Sequence, residues 1–66
     1  MYHILFIVQI LASGELGQMQ SRETYPSLAA CEEALPARTL QVQTVGLENN
    51  AWATMATKCV PVGDPA

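Results

Sequence analysis

Positive charge is scarce in this chain of 66 residues, which has three Lys or Arg against six Asp or Glu and a net charge of -3. A protein that binds nucleic acid neutralises a run of phosphates with Lys and Arg, and three cations are too few for that. The acidity is also too modest to indicate a mimic of DNA. Because charged residues make up only 14% of the chain while 50% is hydrophobic, the composition predicts a folded protein with no nucleic-acid partner.

The chain also lacks an apolar run long enough to cross a membrane, which needs about 20 residues. The longest run, residues 2–11, contains only His3 and Gln9 as polar residues and is followed by small and polar residues. A secretory signal peptide also has a short apolar run followed by small residues. It opens with Lys or Arg, however, and neither residue precedes this run. We therefore prefer a strand over residues 4–11 that is buried on both faces, with the signal peptide as the alternative.

Groups that carry out catalysis are equally scarce. A nucleophilic Cys31 or Cys59 would need a histidine as its base, and the chain has only His3, next to the N-terminus. No third residue is evident that would orient His3. Glu32 and Glu33 are adjacent and point about 100° apart on a helix, so they do not converge on one bond. Two isolated cysteines lack the close Cys pairs of zinc sites, and no glycine-rich phosphate loop is present. The sequence predicts no enzyme, no cofactor and no metal site.

Turn residues and hydrophobic periodicity predict four strands and one helix. Two glycines support a hairpin turn at residues 13–17, Ser27 is a candidate N-cap, and Pro36 should end the helix. A second turn is expected at residues 46–50. The predicted elements are strands at residues 4–11 and 18–25, a helix at 27–35, and strands at 39–45 and 51–60.

These elements predict an α+β fold, in which a small antiparallel sheet of order β-β-α-β-β has one helix packed on one face. We expect residues 1–62 to form this single domain and residues 63–66 to form a frayed tail. One helix leaves the other sheet face uncovered, and exposed apolar faces mark interaction surfaces.

Cys31 and Cys59 allow only one pairing. A disulfide between them would close a loop of about 29 residues, which the chain-entropy relation values at roughly 3.5 kcal/mol. The alternative is two reduced, buried thiols in the cytosol, which a retained Met1 favours. We therefore expect a cytoplasmic protein if the thiols are reduced, and an envelope or extracellular protein if the disulfide forms.

Three segments resemble a loose group of small, mostly uncharacterised bacterial and phage proteins with two cysteines. Proteins of that group open with a short apolar segment, carry a helix of the form Ser-x-x-x-Cys-Glu-x-Ala and end in Cys-x-Pro. Residues 27–34 and 59–61 fit the last two patterns here. The resemblance implies a paired Cys31 and Cys59 and no established activity, and residues 38–50 depart from the pattern.

These features favour a small non-enzymatic protein-binding module, such as a phage or prophage inhibitor of a host protein complex. The alternative is a structural accessory protein of a virion or cell envelope that associates with itself through its apolar sheet face. The partner is then another protein or a second copy of the chain. We expect the interaction surface to combine the uncovered sheet face with the region around Trp52, with Trp52, Tyr25 and Met19 as contact residues.

Overall fold

The computed structural model describes residues 1–62, which form a three-stranded antiparallel sheet with one helix on one face. The elements in chain order are β1 (Tyr2–Ile10), β2 (Leu16–Gln20), α1 (Leu28–Glu48) and β3 (Trp52–Pro61). The sheet order is β2-β1-β3, so β1 is the central strand. The predicted α+β class is confirmed. The predicted order β-β-α-β-β is wrong, because the described residues form three strands instead of four, and the tail predicted at residues 63–66 lies outside them.

The apolar N-terminal run forms β1, which confirms the strand prediction. Ile4, Phe6 and Val8 alternate along the strand on the helix side and form the buried core together with Cys31. Leu5 and Ile7 alternate with them on the opposite face and are only half-buried. Burial on both faces is therefore incomplete, because the helix covers one face alone.

The predicted hairpin between β1 and β2 is present, and its loop depends on Gly14. This glycine has a φ of 77°, in the left-handed region, and its N–H donates to the Ile10 carbonyl at 2.7 Å. The Ile10 N–H in turn donates to the Glu15 carbonyl at 2.8 Å. These two bonds close the hairpin just before β2 begins.

The second strand is shorter than the predicted 18–25. At Ser21 the side-chain hydroxyl accepts a hydrogen bond from the Ile4 N–H at 3.0 Å, where a regular ladder would use a backbone carbonyl. This substitution ends the regular pairing. Farther along the chain, Tyr25 makes only an isolated bridge with Tyr2.

Helix α1 begins as predicted, since the Ser27 hydroxyl accepts from the Ala30 N–H at 3.1 Å. It then continues through Pro36, so both the predicted stop at Pro36 and the predicted strand at 39–45 are wrong. Pro36 cannot donate to the Glu32 carbonyl. Both residues are exposed, so solvent is able to satisfy that carbonyl and the helix tolerates the proline.

A stripe at helical spacing explains why the helix continues. Its members follow one another at intervals of three or four residues and are buried or half-buried: Cys31, Leu35, Thr39, Val42 and Gly46. Each interval returns the chain to the side that faces the sheet. Packing along this stripe outweighs the local cost of the proline.

Two asparagines end the helix. The Asn49 side chain donates to the Val45 carbonyl at 2.8 Å, and Asn50 has a φ of 51°, in the left-handed region that asparagine tolerates. The turn predicted at residues 46–50 is thus confined to its last residues, because the first three belong to α1.

The helix lies over β3 and, to a smaller extent, over β1, and no Cα atom of α1 comes within 8 Å of one in β2. This offset leaves two surfaces without a covering element among residues 1–62. One is the whole sheet face opposite α1, and the other is the inner side of β2 beside the helix.

Candidate interaction surfaces

The sheet face opposite α1, called here the open face, is apolar at its centre. The strand register and side-chain alternation place Leu5 and Ile7 of β1 on it, beside Ala53 and Ala56 of β3. Met55 is 58% exposed and α1 lies over the other side of β3, so we assign Met55 to the same face. Three of these five side chains are large hydrophobes, which are costly to leave in water.

A β-bulge positions Met55. Ile7 pairs with Ala56 and Val8 pairs with Thr54, so Met55 is the extra residue on β3. Strict alternation over residues 51–60 would put Met55 and Lys58 on opposite faces, and the bulge brings them to the same one. Sequence reasoning missed both residues as candidates, since no residue pattern marked the bulge.

The charge of the open face is opposite in sign to that of the whole chain. Lys58 lies on it, opposite Leu5 in the register, and is exposed. The carboxylates within residues 1–62 lie in loops and on the helix: Glu15, Glu23, Glu32, Glu33 and Glu48. The open face is therefore apolar and weakly positive, although the chain carries -3.

The second surface is a groove between β2 and the C-terminal half of α1, with a cavity volume of about 340 Å³. Phe6 and Met19 form its floor, and Val42, Val45 and Trp52 form its wall. The groove exists because the helix is displaced toward β3. Sequence reasoning did not find it, since its position depends on where the helix lies over the sheet.

Trp52 is held on the helix side of the sheet. Its indole Nε1–H donates to the Val42 carbonyl at 3.1 Å, and the ring lies directly against Gly46. Met19 and Tyr25 also pack against the core from this side. The three predicted contact residues are therefore separate from the open face, although Trp52 and Met19 meet in the groove. Their role in binding stays a prediction.

Charged side chains line the rim of the groove. Arg38 forms an ion pair with Glu23 and donates to the Gln41 side chain at 2.9 Å. The Tyr25 hydroxyl and then the Glu23 carboxylate raise the pKa of the Arg38 guanidinium, although the tyrosine is not in hydrogen-bonding geometry with any partner. Arg22 is exposed on the same rim and has no ion-pair partner within residues 1–62.

The predicted disulfide between Cys31 and Cys59 is present, with the two Cα atoms 6.2 Å apart. It connects the first turn of α1 to the end of β3, and Cys31 is fully buried. As a disulfide, neither sulfur is a thiolate that could attack a substrate. The third member of the candidate constellation, His3, lies on β1 at the edge of the open face.

Among residues 1–62, no three His, Cys, Asp or Glu side chains are grouped closely enough to hold a metal ion. No helix in this part of the chain has the length and apolar character required to span a bilayer. Comparison with protein-family models, curated proteins and solved structures gives no match to this chain. The resemblance to small bacterial and phage proteins with two cysteines thus stays an expectation from the sequence.

Proposed function

We propose that this protein is a non-enzymatic protein-binding module that docks a partner on the open face. The observation that carries the proposal is the exposed, bulged Met55 beside Leu5 and Ile7, on a face that no element within residues 1–62 covers. Interface cores are depleted in charge and enriched in methionine and other large apolar residues. The centre of the open face has that composition.

Charge complementarity favours a partner that differs from the chain itself. Within residues 1–62 the open face carries Lys58 and no carboxylate, so two copies of this part of the chain placed face to face would supply no acidic group to either lysine. A partner with an apolar patch and a nearby Asp or Glu would satisfy both features. Inhibition of a host protein complex by a phage or prophage protein is the form of binding that we propose.

The disulfide supports the proposal that this binding takes place in an oxidising compartment. Disulfides persist in oxidising environments, and a cytosolic pool of reduced thiols would tend to open them. We therefore propose action in the envelope or outside the cell.

Two exposed hydrophobic residues provide a matched test of the docking surface. Met55 on the open face is 58% exposed, and Leu40 on the outer side of α1 is 66% exposed. We expect M55D to weaken binding of the partner at least tenfold, since burying a carboxylate in an apolar interface costs more than about 1.4 kcal/mol and the acidic group proposed for the partner would repel it. L40D adds the same charge away from the face and should bind as the wild type does.

The measurement is capture from an extract of the source organism on immobilised wild type, M55D and L40D, followed by titration of the recovered partner. Melting temperatures of the three proteins establish that each is folded. Equal recovery on all three would contradict the proposal. If wild type instead sediments as a dimer that M55D alone dissociates, the structural alternative of self-association is the correct one.

A further inference from the structure

The groove has the size and lining of a site for a small amphiphilic ligand. Binding cavities usually start at about 300 Å³, and this one measures about 340 Å³. At about 30 Å³ per non-hydrogen atom, the volume of one molecule in liquid water, it accepts roughly eleven such atoms. Its floor and wall are apolar, with Met19 and Trp52 half-buried and Val45 43% exposed.

Charge at the rim indicates the polar group of that ligand. Two of the three cations in the chain, Arg22 and Arg38, line the groove. Glu23 neutralises Arg38 through their ion pair, whereas Arg22 has no such partner within residues 1–62. The groove therefore offers one uncompensated positive charge beside an apolar surface, in a chain of net charge -3. Arginine binds a carboxylate in a bidentate manner through its planar fork.

We infer that the groove binds a free medium-chain carboxylate. The alkyl chain lies on Phe6 and Met19 against Trp52, and the carboxylate lies at Arg22. This site is on the helix side of the sheet and uses none of the open-face residues on which the proposed function rests. The outcome of a test for carboxylate binding is therefore independent of whether the proposed function is correct.

Fluorescence of Trp52 reports on the groove directly, because this is the only tryptophan in the chain. Titration with octanoate should change the emission of the wild-type protein in a saturable manner. R22Q should raise the dissociation constant about threefold, as expected for the loss of one exposed ion pair. K58Q removes an exposed cation from the open face and should leave the dissociation constant unchanged. V45D should abolish saturation by placing a negative charge in the wall.

Octyltrimethylammonium separates charge recognition from simple apolar adsorption. It should bind at least threefold more weakly than octanoate, because its cationic head forms no ion pair with Arg22 and is repelled by it. Equal affinity for this cation, or equal effects of R22Q and K58Q, would overturn the inference. An emission that depends on protein concentration and not on octanoate would also overturn it, and would show that a second copy covers the groove.

Discussion

At the residue scale, the contact between Gly46 and Trp52 joins the last turns of the helix to the start of β3. Trp52 reaches over the helix at Gly46 and donates to the Val42 carbonyl one turn earlier. These contacts give Trp52 a structural role, whatever part it plays in binding. Truncation of Trp52 therefore cannot serve alone as a test of an interface, since it would also reduce stability.

We expect G46A to destabilise the protein, although alanine is the better helix former by about 1 kcal/mol. A Cβ at Gly46 would overlap the Trp52 indole and force the ring or the helix to move. Such overpacking costs typically 1–3 kcal/mol. Chemical denaturation should show a lower free energy of unfolding.

Gly17 provides the control for this substitution. A Cβ there would lie 3.6 Å from the nearest atom, the Ile10 Cδ1, which is ordinary contact. G17A should therefore change stability by less than about 0.5 kcal/mol, within the range of surface substitutions. A G46A protein that is as stable as G17A would show that the indole does not lie against the helix.

At the element scale, the continuity of α1 is the main difference between the predicted and the observed fold. The sequence indicated β1, the hairpin, the Ser27 cap and a last strand from residue 51 to 60, because local apolar alternation and turn chemistry determine them. It did not indicate the second half of α1. Thr39 and Gly46 belong to the stripe that faces the sheet, but neither has a large apolar side chain, so the helical spacing of apolar residues is interrupted there. The alternation of apolar and polar residues at 40–43 then predicted a strand instead.

Tertiary packing also determined the features of the candidate sites that sequence reasoning missed. The open face was expected as a consequence of having one helix and one sheet. Which residues of β3 lie on the open face depends on the bulge at Met55. The groove depends on the displacement of α1 toward β3. Neither arises from the local preference of any residue.

Replacement of the helical proline tests the continuity of α1. P36A should raise the free energy of unfolding by about 2 kcal/mol, because it restores the donor to the Glu32 carbonyl and removes the clash of the ring with the preceding turn. P26A, which lies before the N-cap and outside the helix, should have an effect of less than about 0.5 kcal/mol. A P36A protein without added stability would contradict a helix that runs through residue 36.

At the scale of the whole molecule, the fold depends on a small core and a covalent link. The buried hydrophobic residues in the described part of the chain are few: Ile4, Phe6, Val8 and Cys31. A domain of this size obtains only a few kcal/mol from its core, so a disulfide supplies a large share of its stability. The same limited core leaves one sheet face uncovered within residues 1–62.

Removal of the disulfide should therefore have a large effect. The double variant C31A/C59A should lose about 3.5 kcal/mol of stability, the value for closing a loop of this length, plus the packing of the buried sulfur. Alkylation of natively purified protein without reductant, followed by intact mass measurement, should add no alkyl group. Addition of two groups would show free thiols and contradict the link between α1 and β3.

The central claim is that a protein partner contacts the open face. Site-specific photo-crosslinking measures this contact most directly, with a photoreactive phenylalanine analogue placed at residue 55 in one protein and at residue 40 in the other. Both positions are exposed, so the analogue should leave the fold unchanged. The account predicts a covalent adduct with the partner from position 55 and none from position 40. Crosslinking from position 40 alone would place the partner on the helix and contradict the account.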